Sequence, residues 1–472
     1  NHVEHAWGQQ VGDQLDQDQQ ADGGRLGRLE YDAVAGAQGR RNLPRGHQDG
    51  EVPGNDLAHH AQRLVDVVRD GVGVDLADAA FLRAHIEDTL SFYLPRALDA
   101  SGGLFHFLRD DGRVYDAHTR HLVSSTRYVV TLGMAVRRGL GGPVARQALQ
   151  QAFDFLPVHR NPDTGGYAWL IDWRDGQARV LDATNHAYGL AFVLLAHAHA
   201  HMAGIEGAHA GIAQTFELLE QRFWEPAHGL YADEATADWQ VLPYRGQNAN
   251  MHLCEALLAA FDATQETRYL DRAALLAEHI TVRQAALADG LVWEHYRADW
   301  SVDWDYNRHD KTNIFRPWGF QPGHLTEWTK LLLQLHERRP APGLVERARR
   351  FFDTAMHKAW DGEHGGLYYG FAPDGSICDS DKYFWVQAES LAAAARLANV
   401  TGEPRYWAAY DHLWAYAWRH FVDHEHGAWW RILTADNRKY SDEKSPAGKV
   451  DYHTMGAAHD VLEVVEQAPL RR

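Results

Sequence analysis

A glycine followed closely by an aromatic residue recurs six times along this chain, and it sets the period of the fold. The copies begin at Gly103, Gly166, Gly229, Gly290, Gly366 and Gly427. The intervals between successive glycines are 63, 63, 61, 76 and 61 residues. A fixed period of this length is typical of repeat architectures, in which each copy is one supersecondary unit.

Each repeat unit is predicted to contain two helices. After Gly166 come turn residues, then an apolar run over 190–198, a break at Ala203-Gly204 and a second periodic stretch over 212–223. That order indicates hairpin, helix, turn, helix. The first helices are predicted to begin near Arg127, Tyr188, His252, His324, Gln387 and His453.

Six units of two helices predict an all-α fold, an (α/α)6 barrel with short β-hairpins in the connecting loops. The first helices are rich in Ala and Leu on several faces, as buried inner helices are, whereas the second helices are amphipathic. A helix over 79–98 supplies the missing partner helix at the front of the chain and closes the ring. An open α-solenoid would need polar capping repeats, which the sequence does not show.

Composition excludes several classes of protein. The net charge of −18 disfavours nucleic acid and anionic membranes as partners. Two cysteines, Cys254 and Cys378, give neither a disulfide framework nor zinc-ribbon spacing. No apolar run approaches a membrane span, and no signal peptide is visible. The expectation is a cytoplasmic monomer or homodimer that acts on a small molecule.

Residues 1–78 differ in composition from the rest of the chain. They contain no Lys and no Phe, are dominated by Gln, Asp, Gly and Arg, and carry no copy of the repeat. Such a segment is predicted to be a disordered or non-native extension, with a regulatory tail as the alternative. The expected single domain is therefore residues 79–472.

The predicted helix starts bring polar side chains towards one central pocket, the usual place for a small-molecule site. Three of the six positions in register are imidazoles: His252, His324 and His453. Glu255 and Glu327 follow the first two histidines by three residues, so each shares a helix face with its histidine and is expected to orient it.

Several chemistries fit three imidazoles. Two of them across a pocket suit reversible proton transfer next to a carbonyl, with Arg127 stabilising the developing oxyanion. A helix N-terminus is expected to lower the imidazole pKa. Three histidines also suit zinc, or they are satisfied core residues. A pair of carboxylates for glycoside hydrolysis would have to come from Asp379, Asp381 or Asp451.

Two further residue types bear on the pocket. Trp169, Trp318 and Trp385 are candidates for stacking on the apolar face of a sugar, although most tryptophans of such a chain are ordinary core. Cys254 is interpreted as a small buried hydrophobe rather than a nucleophile.

Four motifs resemble the N-acyl-D-glucosamine 2-epimerase superfamily, closest to its D-mannose isomerase branch. They are residues 248–255 (NANMHLCE), 322–328 (PGHLTEW), 385–389 (WVQAE) and 452–453 (YH), with residues 315–319 (FRPWG) leading into the second. The resemblance covers residues 79–472. It implies an (α/α)6 barrel, no cofactor and no metal, and interconversion of D-mannose and D-fructose. The alternatives are a sugar 2-epimerase of the same family and a non-catalytic sugar-binding toroid.

The resemblance also implies roles for individual residues. His324 and His453 would be the catalytic acid/base pair. The expected substrate-binding residues are Arg127, Tyr188, Asn248, His252, Glu327 and Trp385. Separately, the long fourth interval suggests that residues 297–321 form a lid over the pocket, with a packing or dimer-contact loop as the alternative.

Overall fold

A computed structural model describes residues 75–311, 313 and 315–467 of the 472-residue chain. The predicted extension lies almost wholly outside the described residues. The helices of the described part are α1 Ala79–Tyr93, α2 Leu122–Arg137, α3 Gly142–Phe155, α4 Ala187–Met202, α5 Ala208–Arg222, α6 Gln247–Thr264, α7 Thr267–Glu278, α8 Pro322–Arg338, α9 Leu344–Ala359, α10 Phe384–Thr401, α11 Pro404–His420 and α12 Tyr452–Gln467.

The helices contact one another in a regular order. The even-numbered helices each pack against the next even-numbered helix, and α12 packs back against α2. Each odd-numbered helix packs on an even-numbered one, with α1 against α12. The helix predicted over 79–98 therefore takes its expected place, although it ends at Tyr93, one residue before the Leu94-Pro95 pair. Proline disfavours helical backbone in the residue that precedes it.

Burial separates the two sets of helices as the sequence predicts. In α4 and α10 the buried residues lie on all faces, because both helices are enclosed by neighbours. In α9 the buried stripe contains Phe351, Phe352 and Ala355, while Glu346, Arg350 and Lys358 are exposed. No helix in the described part of the chain is long and apolar enough to cross a membrane.

Short strands pair antiparallel in the connections between helices. They form two three-stranded and five two-stranded sheets within the described residues. The strands are β1 Phe107–Arg109, β2 Val114–Asp116, β3 Thr119–His121, β4 Leu170–Arg174, β5 Gln177–Asp182, β6 Asn185–His186, β7 Trp224–Glu225, β8 Leu230–Tyr231, β9 Glu234–Ala235, β10 Arg245–Gly246, β11 His295–Tyr296, β12 Gly370–Phe371, β13 Ile377–Asp379, β14 Lys382–Tyr383, β15 Ile432–Leu433 and β16 Glu443–Ser445.

The repeated glycines turn the chain back after an odd-numbered helix. Gly366 and Gly427 have φ values of 82° and 84°, in the left-handed region that glycine adopts without a steric penalty. A Cβ at Gly366 would lie 2.4 Å from the Tyr416 ring. The turn lets a residue one or two positions after the glycine bridge back to the end of the helix, as in the Trp360–Leu367 and Val422–Trp429 pairs.

An amide side chain from the next even-numbered helix holds this turn in place. Gln387 is fully buried, and its amide accepts a hydrogen bond from Leu367 N and donates one to Leu367 O, both at 2.9 Å. Asn250 bonds the backbone N and O of Tyr231 in the same way. The register that placed Gln387 with the pocket histidines was therefore wrong at this position, because its amide serves the fold.

Candidate active site

Trp385 brings two of the predicted histidines together. His324 is the third residue of α8, and Trp385 and His453 are the second residues of α10 and α12. The Trp385 ring centroid lies 5.1 Å from that of His324 and 5.5 Å from that of His453, with interplanar angles of 35° and 34°. The first turns of α8, α10 and α12 thus place two imidazoles around one indole.

A carboxylate from outside its own helix holds His324. Nδ1 of His324 bonds Glu294, which follows the fourth glycine mark, and it also lies 3.2 Å from the amide nitrogen of Gln247. Gln247 Nε2 donates to Glu294 Oε2 at 2.8 Å, and Trp328 Nε1 donates to Gln247 Oε1 at 2.8 Å. The predicted partner of His324, Glu327, makes none of these bonds, so that pairing was wrong: the ring turns towards Glu294 instead.

His453 is held by a second carboxylate. Its Nδ1 lies 2.7 Å from Glu389 Oε1, one turn further along α10 than Trp385. The other oxygen of Glu389 accepts from Lys330 Nζ at 2.6 Å, and Asp460 Oδ2 lies 3.7 Å from the same ammonium. The imidazole therefore faces an ion pair that is nearly closed to solvent.

The third imidazole, His252, pairs with Glu255 as the sequence predicts. Its Nδ1 lies 3.0 Å from Glu255 Oε2, three residues later on α6. The Tyr452 hydroxyl donates to the other oxygen of Glu255. The rings of His252 and His453 have centroids 6.5 Å apart, which places all three histidines around one region.

Glu327 lies between two of these histidines without a hydrogen bond. One carboxylate oxygen is 3.9 Å from His252 Nε2 and the other is 4.0 Å from His453 Nδ1. Both oxygens are buried and unpartnered within the described structure. Burial, together with the nearby Glu389 charge, raises the pKa of Glu327 well above its usual value. A carboxyl in this environment favours its protonated form.

Arg127 and Tyr188 form another wall of the same region. Arg127 donates to the Tyr188 hydroxyl at 2.9 Å and to Gly448 O. The guanidinium carbon lies 4.4 Å from the Phe192 ring centroid and 4.5 Å from that of Tyr452. The Tyr188 and His252 rings are 5.0 Å apart, so Arg127 is connected to the histidines through aromatic contacts.

Asn248 is the predicted site residue that these contacts do not include. It lies on the first turn of α6, and its buried Oδ1 has no hydrogen-bond partner within the described residues. Its neighbour Gln247, which the sequence did not single out, makes the contacts to Glu294 and His324 instead.

Burial lowers the pKa of two imidazoles, those of His453 and His252. It lowers the pKa of His453 well below its usual value, and the positive charge of Arg127 adds to the effect. Burial also lowers the pKa of His252, although Glu255 opposes the shift. The pKa of Glu255 is lowered to about 2 despite its burial, because His252 and Tyr452 hydrogen-bond the carboxylate. Desolvation is therefore the leading cause of the shifts of His252 and His453.

The donor atoms permit a metal ion at two overlapping positions. One set is His252, Glu255 and Glu327, and the other is Glu327, Glu389 and His453, each with its donors within 4.8 Å of one another. Both sets use the carboxylates that orient the imidazoles. The Lys330 ammonium bonded to Glu389 opposes a cation in the second set.

The carboxylates considered for glycoside hydrolysis lie elsewhere. Asp451 is fully buried, bonded to the Tyr93 hydroxyl and to Lys449 Nζ at 2.8 Å. Asp379 ends β13, and Asp381 accepts a bond from Tyr440. None of the three contacts the histidines in the described structure. Cys254 is fully buried, and burial raises its thiol pKa, which fits its interpretation as a core residue.

The long loop of the fourth repeat crosses towards other units. Phe315 lies 6.5 Å from both His121 and Trp169, measured between ring centroids. Arg316 bonds Glu234 at 2.9 Å. Trp318, a predicted sugar-stacking residue, instead donates from its indole to Trp304 O within the loop. Trp169 lies 6.4 Å from Tyr188, at the edge of the site.

The sequence pattern of the N-acylglucosamine 2-epimerase family matches residues 103–457. The D-mannose isomerase of Marinomonas mediterranea is 52% identical over 389 residues, which cover 82% of this chain and 97% of that protein. The D-mannose isomerase of Thermobifida fusca is 38% identical over 57% of this chain and 67% of its own length.

Solved structures give the same relationship. A crystal structure of D-mannose isomerase, 52% identical, superposes with a TM-score of 0.80 over 83% of this chain and 99% of its own. The cellobiose 2-epimerase of Spirochaeta thermophila is 23% identical and has a TM-score of 0.70 over 88% of this chain and 98% of its own. The second likeness shows a common fold.

Proposed function

The chain belongs to the N-acylglucosamine 2-epimerase family, and we propose that it interconverts D-mannose and D-fructose. The family resemblance predicted from the motifs is confirmed. The observation that carries the proposal is the arrangement of His324 and His453 around Trp385, each with Nδ1 bonded to a carboxylate. The Nε2 atoms of both rings are then left for a substrate. Relatives named D-mannose isomerase support the choice of sugar.

The geometry suits proton transfer through a cis-enediol. After the sugar ring opens, Nε2 of one imidazole takes the proton from C2, and the electron pair forms the C1–C2 double bond while O1 gains a proton. Loss of the O2 proton and protonation at C1 then give the ketose. A neutral buried imidazole is suited to accept a proton at neutral pH. The positive charge of Arg127 acts on His453, and the same charge can stabilise negative charge on the sugar oxygens.

The substrate-binding residues follow from the same geometry. Trp385 offers an aromatic face beside both imidazoles, and Glu327 is a buried carboxyl whose oxygens have no hydrogen-bond partner within the described residues. His252, Tyr188 and Arg127 line the adjoining wall. Asn248 keeps an unpartnered amide oxygen for a further contact.

Alanine substitution tests the assignment of the catalytic pair. His324→Ala and His453→Ala are each expected to abolish formation of fructose from mannose while the thermal unfolding midpoint stays close to that of the wild type. Hydrogen at C2 of mannose should exchange with solvent only in the wild type, as followed by NMR in D₂O. Normal turnover in either variant would remove that histidine from the mechanism.

The second candidate function is a sugar 2-epimerase, which shares the enediol and differs in the carbon that is reprotonated. Product analysis with mannose, glucose, cellobiose and N-acetylmannosamine separates the two reactions. A non-catalytic sugar-binding toroid would bind mannose without turnover and tolerate His453→Ala. Incubation with a chelator is expected to leave activity unchanged, and a loss reversed by added metal would support a metal-dependent reaction.

The finer architecture belongs to the same proposal. The sequence in which the helices contact one another supports an (α/α)6 barrel formed by residues 79–472. Its inner helices would be α2, α4, α6, α8, α10 and α12. The contacts of Phe315 and Arg316 with the first, second and third units support a lid role for residues 297–321.

A further inference from the structure

The carboxylates that hold the two catalytic imidazoles have different electrostatic surroundings. Glu389 bonds His453 and shares its charge with Lys330, whose ammonium is 2.6 Å away. Glu294 forms an ion pair only with His324 in the part of the chain that the structure describes. The charge of Glu294 is therefore not neutralised by a neighbouring lysine or arginine.

An amide takes the place of a cation beside Glu294. Gln247 Nε2 donates to both oxygens of Glu294, at 2.8 and 3.2 Å, and the backbone N of Gln247 donates to Glu294 O at 3.1 Å. The Trp328 indole donates to Gln247 Oε1, which fixes the amide with its NH₂ group towards the carboxylate. Gln247 is fully buried and Glu294 is 4% exposed, so water screens this charge weakly.

We propose that Glu294 is a positioning residue that fixes the tautomer of His324 and stabilises its imidazolium during proton transfer. Glu294 accepts the Nδ1–H of His324, which leaves Nε2 as the basic nitrogen. Its unneutralised charge then stabilises the imidazolium that forms when Nε2 removes a substrate proton. The inference deepens the proposed isomerisation and rests on it.

The position of Glu294 in the repeat explains why its carboxylate lies at the site. Glu294 directly follows Trp293, which closes the fourth glycine–aromatic mark, and it precedes the short strand β11. The pairing of β10 with β11 sets Gly246 opposite His295, which places Gln247 at the start of α6 beside Glu294. A turn that serves the fold in other repeats thus presents a carboxylate to the site here.

The variant Glu294→Gln tests the charge without removing the side chain. A glutamine oxygen still accepts from Nδ1, so a purely structural role predicts near-normal activity. Loss of a charge-assisted hydrogen bond predicts a fall in kcat of about 10- to 150-fold. KM for mannose should change little, because Glu294 lies behind the imidazole. The isotope effect with mannose deuterated at C2 should rise as proton removal becomes slower.

A charge-swapped double variant separates charge from packing. In Gln247→Glu/Glu294→Gln the carboxylate moves to residue 247, whose side chain already reaches to 3.2 Å from His324 Nδ1 and can still accept from Trp328. We expect this variant to recover at least fivefold in kcat over Glu294→Gln. The matched control is Glu225→Gln, which alters a part-buried glutamate bonded to Arg245 and Trp300, away from the histidines.

These variants test the role of Glu294 whichever reaction the wild-type protein performs. Wild-type kcat in Glu294→Gln, a loss confined to KM, or a double variant no faster than the single one would each overturn the positioning role. Absence of fructose in the wild-type assay would instead refute the proposed isomerisation. If mannose is epimerised, the same kcat ratios still test Glu294.

Discussion

Lys330→Met should destabilise the protein and impair catalysis together, because Lys330 lies beneath the site. Lys330 is 6% exposed, and its ammonium lies 2.6 Å from Glu389 Oε2 and 3.7 Å from Asp460 Oδ2. Methionine fills similar space but leaves Glu389 without a cation. Breaking a buried ion pair in this way costs about 3–5 kcal/mol.

The expected shift in melting temperature follows from the size of the domain. Unfolding entropy is about 2.1 cal/mol/K per residue, which over the roughly 390 residues described gives about 0.8 kcal/mol/K. A loss of 3–5 kcal/mol then lowers Tm by about 4–6 °C, measurable by calorimetry. The control Lys439→Met breaks an exposed pair with Asp110 and should cost less than about 1 kcal/mol.

The pH dependence of the stability of Lys330→Met tests whether the unpaired charge of Glu389 causes the loss. Burial already raises the pKa of Glu389, and Lys330 opposes that rise. Without Lys330 the folded pKa rises further above the unfolded value of 4.5. A carboxyl with a raised pKa contributes stability at low pH that is lost as pH rises through the folded pKa. The deficit of Lys330→Met should therefore be largest near neutrality and shrink towards pH 4.5.

A double variant that removes both charges tests the electrostatic explanation of the lost stability. Lys330→Met/Glu389→Gln removes both charges and should regain most of the lost stability, since a buried pair replaced by neutral groups is close to neutral in free energy. It should not regain activity, because His453 still lacks its carboxylate. A deficit below about 1 kcal/mol in Lys330→Met, or one independent of pH, would refute the electrostatic account.

Three further outcomes are expected. Trp385→Ala should lower kcat at least tenfold and Trp385→Phe less, as measured by steady-state kinetics, because the indole contacts both imidazoles; equal activity of both variants would argue against stacking. Burial lowers the pKa of His85 to about 4 and of His459 to about 3, so each imidazole takes up a proton when the protein unfolds below pH 6.5. The free energy of unfolding, measured with urea, should therefore fall by up to about 2 kcal/mol per imidazole between pH 6.5 and pH 5. A stability that does not change over this range would contradict the prediction. Deleting several residues between Asp303 and Asp310 should change KM or sugar specificity, whereas unchanged kinetics would indicate a packing loop.

Local spacing allowed much of the site to be predicted from the sequence. His252 and Glu255 are three residues apart on one helix, so their contact needs only helical geometry. The same rule failed for His324 and Glu327, because a helix face has several neighbours and Glu294 competes for the imidazole. Glu389 lay within a recognised motif, yet nothing in the spacing showed that it would bond His453, 64 residues away.

The sequence by itself determined the helical repeat, the family and the identity of the three histidines. Glycine at a left-handed turn and apolar residues at helical spacing act through neighbouring residues, so their pattern is legible along the chain. Only the tertiary structure decided which carboxylate each imidazole meets and which carboxylates share a cation. Those partners come from different helices and loops, and their charges depend on burial, which no local pattern encodes.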